Sequence, residues 1–471
     1  MQTGRKDLFW HYAAVTMRVA SGIIVLPVTL RLLPSEDMGV WTLFLSLTTI
    51  VSLLDFGFSN SFSRNVTYIF SGVKELKTKG YAEVQTHSVD YGLLKNLLKA
   101  VRLYYGAVAL IFLAVFVVAG PFYLSSAVLC KYTGNHLHIW VAWFILGIIL
   151  SYELYTYYYV AILAGQGKIK KVMQIVVISQ SIRIMLTVTL LLLNFGLLAL
   201  VIGMLVGDLI HRMLSSRAFF DKETKQQLML APAGSAMDTI KIMAPNSVKL
   251  GLTAVGHFLR SRATMLIAPY YLTLSEVGSY GISRQMVDFI IAMSMVWFVT
   301  FYPQLSQYCV QKRTKDIKRL YIKSLLIAFI VFALFGCALV LFGNPVIEHV
   351  IHGKTFLLCS LYLILLLLFS FLEVSQNMAT NILLAKNEVP FFKSTLFSGA
   401  LTVLLLWLML RFTGLGILSL ILSYGIAMSV YVNWKWPVEV WKVLKIKPKD
   451  FVEVIKTFWK ENTNIKKNSI Q

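Results

Sequence analysis

Acidic residues, cysteine and the short motifs of common enzyme classes are scarce or missing in this sequence. Its 471 residues include 22 Asp and Glu against 44 Lys and Arg. The four cysteines (Cys130, Cys309, Cys337 and Cys359) have no metal-ligand spacing and imply neither a disulfide framework nor a metal site. The chain lacks a GxxxxGK[ST] loop, an HExxH motif and a GxSxG motif, which argues against P-loop ATP hydrolysis and two hydrolytic chemistries. We therefore predict no catalytic residues, no metal and no enzymatic activity.

Long apolar runs dominate the chain. Apolar residues make up 57% of it and the mean hydropathy is +0.70. A helix needs about 20 mostly apolar residues to cross a hydrocarbon core of ~30 Å, and the backbone must be helical there because lipid offers no hydrogen-bond partners. The sequence predicts twelve spans, at residues 8–33, 38–58, 103–125, 137–164, 172–193, 197–214, 242–270, 277–303, 320–344, 356–384, 391–411 and 415–434.

Positive charge alternates between the gaps that separate these spans. The gaps on the side of the N-terminus, together with Arg212 at the end of the sixth span, hold 32 Lys and Arg, whereas the opposite gaps, together with Arg411 at the end of the eleventh span, hold three, Lys131, Lys354 and Arg411. By the positive-inside rule both termini are predicted to be cytoplasmic. The net charge of +22 is scattered over short loops beside anionic lipid and has no nucleic-acid motif with it, so we predict membrane lipids and not nucleic acid as its partner.

Two stretches half a chain apart resemble each other. Residues 32–41 (LLPSEDMGVW) and 271–280 (YLTLSEVGSY) align without gaps, and they match at Asp37 and Glu276, at Gly39 and Gly278, and at Trp41 and Tyr280. A second echo relates 151–168 to 371–388 and aligns Glu153 with Glu373. Because each half has an even number of spans, the repeats are parallel, a plan used by transporters that work by alternating access.

These patterns predict an all-α polytopic membrane protein. About 12 transmembrane helices would form two parallel six-helix lobes around a central cavity. The predicted lobes are 1–214 and 242–434, joined by a cytoplasmic linker at 215–241 and followed by a basic cytoplasmic tail at 435–471.

Several cationic residues lie inside the predicted spans. Arg18 is about ten residues into the first span, ~15 Å deep at ~1.5 Å per residue. Lys249, His257 and Arg260 fall on one face of the seventh span. Ionisable groups in a membrane usually face a cavity or a partner, so this stripe predicts an anion-binding cavity. Arg284 in the eighth span is the fifth candidate.

Four carboxylates are candidates for ion coupling. Glu153 and Glu373 occupy equivalent positions in the repeat, and Asp55 and Asp288 are the other two. Either these groups bind H⁺ or Na⁺ to drive transport, or they form hydrogen bonds and ion pairs between helices. Asp288 follows Arg284 by four residues, so a local i,i+4 pair is the alternative for both.

The N-terminal motifs resemble one transporter family. GIIVLPVTLRLLPSEDMGVW (22–41) followed by LLDFGFSNSFSRNV (53–66) is similar to the polysaccharide-transporter family of O-antigen and oligosaccharide-unit flippases. That family belongs to the multidrug/oligosaccharidyl-lipid/polysaccharide (MOP) flippase superfamily. The resemblance implies two six-helix lobes in the inner membrane of a bacterial cell. The implied activity is movement of an undecaprenyl-diphosphate-linked oligosaccharide from the cytoplasmic to the outer leaflet for surface polysaccharide biosynthesis.

We predict a monomer without a cofactor, for which H⁺ or Na⁺ is the candidate coupling ion and which works either alone or with the polysaccharide polymerase machinery. A cation-coupled multidrug exporter of the same superfamily is the alternative, although the deep charges of this chain lean basic. A membrane enzyme of polysaccharide assembly is a further alternative, disfavoured by the short external gaps and the lack of a sizeable cytoplasmic domain.

Overall fold

The computed structural model describes residues 5–73, 75, 89–232, 234–311, 313–385, 390–454 and 456, and the regular structure of these residues is helical throughout. The first half of the chain contains nine α-helices: α1 (Arg5–Leu32), α2 (Ser35–Leu54), α3 (Phe58–Phe70), α4 (Tyr91–Tyr123), α5 (His136–Tyr155), α6 (Tyr158–Gly165), α7 (Ile169–Leu192), α8 (Leu197–Phe219) and α9 (Lys222–Leu230). The second half contains eight: α10 (Ala236–Ser261), α11 (Ala263–Ile267), α12 (Leu274–Val310), α13 (Thr314–Pro345), α14 (Ser360–Ala385), α15 (Phe392–Phe412), α16 (Leu418–Val430) and α17 (Val432–Val443).

Every predicted span coincides with one helix or with two consecutive helices. Within the described residues, nine helical stretches are long and apolar enough to cross a membrane. The other three predicted spans correspond to α1, to α10 with α11, and to α16 with α17. The structure thus confirms an all-helical, multi-span membrane protein.

Several helices differ from the predicted boundaries. The helix α4 begins at Tyr91, twelve residues before the predicted span, and α17 continues the last span as far as Val443, into the predicted tail. The fourth span is interrupted between α5 and α6, where the Thr156 hydroxyl donates to the Tyr152 carbonyl at 2.7 Å. Such a back-bond competes with the backbone ladder and bends helices, a local effect that apolar periodicity does not report.

Short polar side chains begin three of the helices. The carboxylate of Asp90 accepts the Leu93 amide at 2.9 Å, the Asn135 side chain accepts the Leu137 amide at 2.9 Å, and Asp221 accepts the Thr224 amide at 2.8 Å. Each bond satisfies a backbone donor that the first turn leaves without a helical partner. Hydrogen bonds from the Thr224 side chain and amide hold the pKa of the Asp221 carboxyl below its usual range.

By internal packing the chain divides into two units. The first contains the chain up to Phe258, Met265–Gly278 and His349–Thr355, and the second contains Leu259–Thr264, Ser279–Glu348 and the chain from Phe356 onward. This division is based on packing, whereas the predicted lobes were based on the repeat. The lobe boundaries at 214 and 242 therefore stay a prediction.

In the first unit, the two glycines of the sequence repeat lie against each other's helix. A Cβ atom on Gly39 of α2 would collide with the backbone carbonyl of Leu274, in the first turn of α12. A Cβ atom on Gly278 would lie 3.0 Å from the Gly39 nitrogen and 3.0 Å from the Ser35 carbonyl oxygen. Close approach of two helix backbones is possible only where a side chain is missing. The repeated glycine is thus explained by this crossing of α2 and α12.

A second pair of glycines brings α7 and α8 together. A Cβ atom on Gly207 would lie 2.9 Å from the Cβ atom of Arg183, and one on Gly203 would collide with the Thr187 hydroxyl. Gly203 and Gly207 form a GxxxG pattern, which lets transmembrane helices pack at short range. The packing holds the polar residues of both helices close together.

Candidate functional site

A network of buried ionic side chains lies in the second unit, with Glu373 of α14 at its centre. Its Oε2 atom is 3.2 Å from Nη2 of Arg284 on α12, and its Oε1 atom is 3.9 Å from Nη2 of Arg260 at the end of α10. The Tyr424 hydroxyl of α16 donates a hydrogen bond to the same carboxylate. Four helices therefore meet at one carboxyl group.

A second carboxylate extends the network towards a more exposed position. Asp288 accepts from Nε of Arg284 at 2.9 Å and from Nη2 of Arg262 at 3.4 Å. The side chain of Arg260 is 3% exposed, whereas those of Asp288 and Arg262 are 33% and 34% exposed. The i,i+4 pair predicted as an alternative for Arg284 and Asp288 is present, but Arg284 also binds Glu373 through its Nη2 atom.

The local helix geometry explains how both carboxylates are reached. The helix α10 ends at Ser261 and α11 begins at Ala263, so Arg262 occupies the junction between them. Arg260 and Arg262 accordingly pair with different carboxylates, Glu373 and Asp288. The guanidinium of Arg284 also lies 5.0 Å from the centre of the Tyr424 ring, a cation–π contact that stabilises a desolvated cation.

The charges of this network do not balance. Among the residues that the structure describes, it contains three guanidinium groups, from Arg260, Arg262 and Arg284, and two carboxylates, from Glu373 and Asp288. Arg260 also donates from Nη1 to the Met428 sulfur at 3.2 Å, which is a weak acceptor. Among these described groups the guanidinium groups outnumber the carboxylates by one, so the network is chemically suited to an additional anion.

The first unit has an ion pair at the repeat-equivalent carboxylate. Nη2 of Arg212 on α8 donates to Glu153 on α5 at 3.1 Å, and Nη1 donates to the Thr156 carbonyl at 3.4 Å. That carbonyl lies at the break between α5 and α6, where the backbone ladder is interrupted. The Arg212 guanidinium also lies 5.6 Å from the centre of the Tyr157 ring. Both repeated glutamates thus form ion pairs with buried arginines.

Next to this pair is a small polar cavity. Its volume is about 100 Å³, and Arg183, Asp208, Gln180, Ser179 and His211 line it. Gly207 also lines this cavity, so the glycine-mediated contact of α7 and α8 is part of its wall. The cavity is large enough for a few water molecules and too small for a sugar.

The Asp55 carboxylate accepts hydrogen bonds that hold the start of α3 in place. It accepts from the Tyr105 hydroxyl, from the Ser59 amide at 3.0 Å and from the Ser59 hydroxyl at 2.7 Å. Its carboxylate therefore caps the start of α3, directly after a turn in which Phe56 and Gly57 have positive φ angles of 51° and 74°. Its proposed part in ion coupling stays a prediction.

The predicted cationic stripe is described only in part. Arg18 and Lys249 belong to α1 and α10, but their side chains are outside the part that the structure describes. His257 and Arg260 lie three residues apart on α10, and the packing boundary at 258 falls between them. The stripe stays a prediction, and within the described side chains it is Arg260 and Arg284 that meet at one carboxylate.

Three residues of these networks were not among the sequence candidates. Arg212 lies so near the end of the predicted sixth span that it was counted with the cytoplasmic charge. Asp208 precedes it by four residues on the same helix face, and this spacing was the available signal. Nothing in the sequence indicates that Tyr424 belongs to this network, because a tyrosine in an apolar helix can be assigned a role only when its neighbours are known. Among the described residues, no group of three or more His, Cys, Asp or Glu is arranged to hold a metal ion.

Comparison with known proteins gives a match in structure and none in sequence. No protein-family model matches the chain, and no curated protein matches it. The fold matches an inward-facing multidrug resistance MATE family transporter of the MOP superfamily with a TM-score of 0.67 and 14% identity, over 90% of this chain and 95% of that one. It matches the lipid II flippase MurJ, in an inward closed conformation, with a TM-score of 0.66 and 14% identity, over 95% of this chain and 90% of the flippase.

A third structure has the same fold and a different pocket. It is a MOP superfamily transporter from Pyrococcus furiosus whose binding pocket is described as having reverse polarity, which suggested a different function for it. The TM-score is 0.53 and the identity 13%, over 94% of this chain and 95% of that one. The chain therefore has the fold of the MOP superfamily transporters, and the proteins that share this fold with it are transporters and a flippase, not enzymes.

Proposed function

We propose that this protein is a flippase for oligosaccharides linked to undecaprenyl diphosphate, which it moves from the cytoplasmic to the outer leaflet of the bacterial inner membrane by alternating access. The proposal is carried by the described ion network, in which three arginines (Arg260, Arg262 and Arg284) meet two carboxylates (Glu373 and Asp288). A diphosphate must cross a region of low dielectric constant, where an anion needs fixed cationic partners. Arginine suits this role because its planar guanidinium binds phosphate oxygens in pairs.

The network also suggests how binding is linked to an ion. In the structure, the Glu373 carboxylate forms ion pairs with the guanidinium groups of Arg260 and Arg284. A proton or Na⁺ on Glu373 neutralises this carboxylate and releases both cations for the diphosphate of the cargo. Departure of the coupling ion restores the ion pairs and displaces the anion. The lipid tail stays in the bilayer, and no ATP is hydrolysed.

A multidrug exporter is the second candidate. The likeness to a MATE transporter is as strong as the likeness to the lipid II flippase, with TM-scores of 0.67 and 0.66. Exporters of cationic drugs require acidic groups in the cavity, whereas here three arginines face two carboxylates. The sign of the charge surplus therefore favours a phosphorylated cargo.

The deciding experiment measures which leaflet holds the lipid-linked oligosaccharide. Cells depleted of this protein are treated with a membrane-impermeant glycan-modifying reagent, and each variant is then expressed in turn. We expect the oligosaccharide to accumulate on the cytoplasmic face and to be released by the wild-type chain but not by Arg260→Ala or Arg18→Ala. Arg31→Ala is the matched control, because Arg31 is exposed at the end of α1. Normal delivery in depleted cells that contain no second flippase would refute the proposal and direct attention to drug export.

Coupling through Glu373 has its own test. Transport into the outer leaflet is measured as a function of pH and of Na⁺ for wild type, Glu373→Gln and Asp316→Asn. Asp316 forms an ion pair with Arg313 at 2.7 Å near the start of α13, where the Asp316 side chain is 38% exposed. We expect the pH or Na⁺ dependence to disappear in Glu373→Gln and to persist in Asp316→Asn. An unchanged dependence in Glu373→Gln would make this carboxylate structural only.

A further inference from the structure

A cavity in the first unit is lined by cations that the proposed transport mechanism does not use. It has a volume of about 730 Å³ and lies where the first turns of α4 meet the end of α8 and the short helix α9. Five of its lining residues are Lys or Arg, and none is Asp or Glu: Lys95, Lys99, Arg102, Arg217 and Lys225. The positive-inside rule places these helix ends on the cytoplasmic side, where the membrane surface is negatively charged.

Two of the cations are held in place by other parts of the cavity wall. Lys95 donates to the Ala231 carbonyl at 2.6 Å and to the Met229 carbonyl at 3.4 Å, which attaches the end of α9 to α4. Arg102 donates from Nε to the Tyr158 hydroxyl at 3.2 Å, and its guanidinium lies 5.4 Å from the centre of the Phe220 ring. These contacts are with uncharged groups, so none of them pairs either cation with a carboxylate.

The other three cations have no such restraint. Lys99, Arg217 and Lys225 are exposed, and among the described residues their side chains form no hydrogen bond and no ion pair. Lys95, Lys99 and Arg102 follow one another at steps of four and three and so share one face of α4. Arg217 and Lys225 come from α8 and α9. Five cations from three helices thus surround one cavity with no carboxylate among its described lining residues, and a bound anion would relieve their mutual repulsion.

The rest of the lining indicates the kind of anion. Leu98, Leu228 and Met229 give the cavity an apolar part next to its cations. A ligand that satisfies both parts has a phosphate group and an apolar chain, as a phospholipid does at the membrane surface. Basic pockets between transmembrane helices on the cytoplasmic side bind anionic lipid head groups in this way, and the volume lies in the range of ligand pockets.

We propose that this cavity, which we call the α4–α8–α9 pocket, binds the phosphate of an anionic lipid head group and by doing so holds α9 against α4 at the cytoplasmic membrane surface. The site is separate from the buried ion network of the second unit, and it requires no particular transported cargo. A cargo-free binding assay therefore tests it independently of the flippase proposal.

The test uses the purified full-length chain in neutral-lipid nanodiscs, with two probes. Short-chain phosphatidylglycerol is titrated first, and inorganic diphosphate is titrated in a separate arm. The variant Lys99→Ala/Arg217→Ala/Lys225→Ala removes the three unrestrained cations. The control Lys171→Ala/Lys442→Ala/Lys447→Ala removes three charges outside the pocket, from residues that are exposed in the structure. Because the pocket variant loses three cations that attract an anionic head group, we expect it to bind the lipid at least about tenfold more weakly, and the control to match wild type.

Two results would overturn the proposal. Equal losses in the two triple variants would show that only the overall surface charge matters, and unchanged lipid binding in the pocket variant would show that the cavity does not hold the head group. Diphosphate could instead bind as tightly as the lipid and lose the same affinity in the pocket variant. The pocket would then recognise a soluble phosphate, and the proposed contact with an apolar lipid chain would be wrong. Hydrogen exchange of α9 gives the second readout, because lipid should slow it in wild type and in the control but not in the pocket variant.

Discussion

The Oε2 atom of Glu373 lies 3.2 Å from the Nη2 atom of Arg284, and this ion pair joins α14 to α12 at a site where both side chains are almost completely buried. The pair does not stand alone, since the Tyr424 hydroxyl donates to the same carboxylate and Arg260 lies 3.9 Å from its other oxygen. Four helices are therefore connected through one glutamate. Any change in its charge acts on all of them at once.

Removing the charge of Glu373 should destabilise the protein more than the same change at Asp288. Breaking one side of a buried ion pair costs about 3–5 kcal/mol, whereas a partly exposed pair contributes about 1 kcal/mol or less. Asp288 is 33% exposed, so Asp288→Asn is the matched control for Glu373→Gln. We expect thermal unfolding in detergent to show a clearly larger loss for Glu373→Gln. If both variants lost the same amount of stability, the two carboxylates would be equally solvated in the folded protein.

Glu153 and Arg212 should behave as a coupled pair. Arg212→Gln leaves Glu153 without its 3.1 Å partner, and Glu153→Gln leaves Arg212 with only the Thr156 carbonyl and the Tyr157 ring. Residues in contact show interaction energies of about 0.5–3 kcal/mol. We expect the double variant to be more stable than the sum of the two single changes predicts. Strict additivity in a double-mutant cycle would show that the pair contributes nothing to folding.

A methyl group at Gly39 should disrupt the crossing of α2 and α12. The added Cβ atom meets the backbone carbonyl of Leu274, which cannot rotate away as a side chain does. Overpacking of this kind costs about 1–3 kcal/mol. Gly106→Ala is the control, since its Cβ atom would have its nearest contact at 3.7 Å, on the Tyr155 ring. We expect lower stability and transport in Gly39→Ala, and a stable, active Gly39→Ala protein would exclude a tight crossing.

The native cysteines offer a test of orientation. Cys130 and Cys359 are exposed, near the external ends of α4 and α14 according to the predicted topology, and Cys309 lies near the cytoplasmic end of α12. In variants that keep one cysteine each, a membrane-impermeant thiol reagent should label Cys130 and Cys359 in intact cells. Cys309 should react only after permeabilisation. Labelling of Cys309 from outside would reverse the assigned orientation.

Much of the architecture was accessible without coordinates, because the relevant signals are local. A run of about 20 apolar residues is sufficient to predict a membrane span, so each of the twelve predicted spans has a helix. The repeated glycines were also visible at 39 and 278. The structural reason for these glycines could not be predicted, because the contact of Gly39 with Leu274 joins positions far apart in the chain. The helix break at Thr156 escaped prediction because apolar and aromatic residues continue on both sides of it, so the hydrophobic pattern does not mark the interruption.

Only the packing of the helices determines which of the buried charges pair with each other. Periodicity identified Arg260, Arg284, Glu153 and Glu373 as costly groups in a membrane. It assigned Arg260 to an anion, and it left open both the local pair of Arg284 with Asp288 and the roles of the two glutamates. The structure pairs Glu373 with Arg284 across 89 residues and Glu153 with Arg212 across 59. The hydrophobic pattern of a helix indicates which of its faces is polar. It does not indicate which other helix packs against that face. For the same reason, the five cations of the α4–α8–α9 pocket were scattered loop charges in the sequence and form one site only in the folded chain.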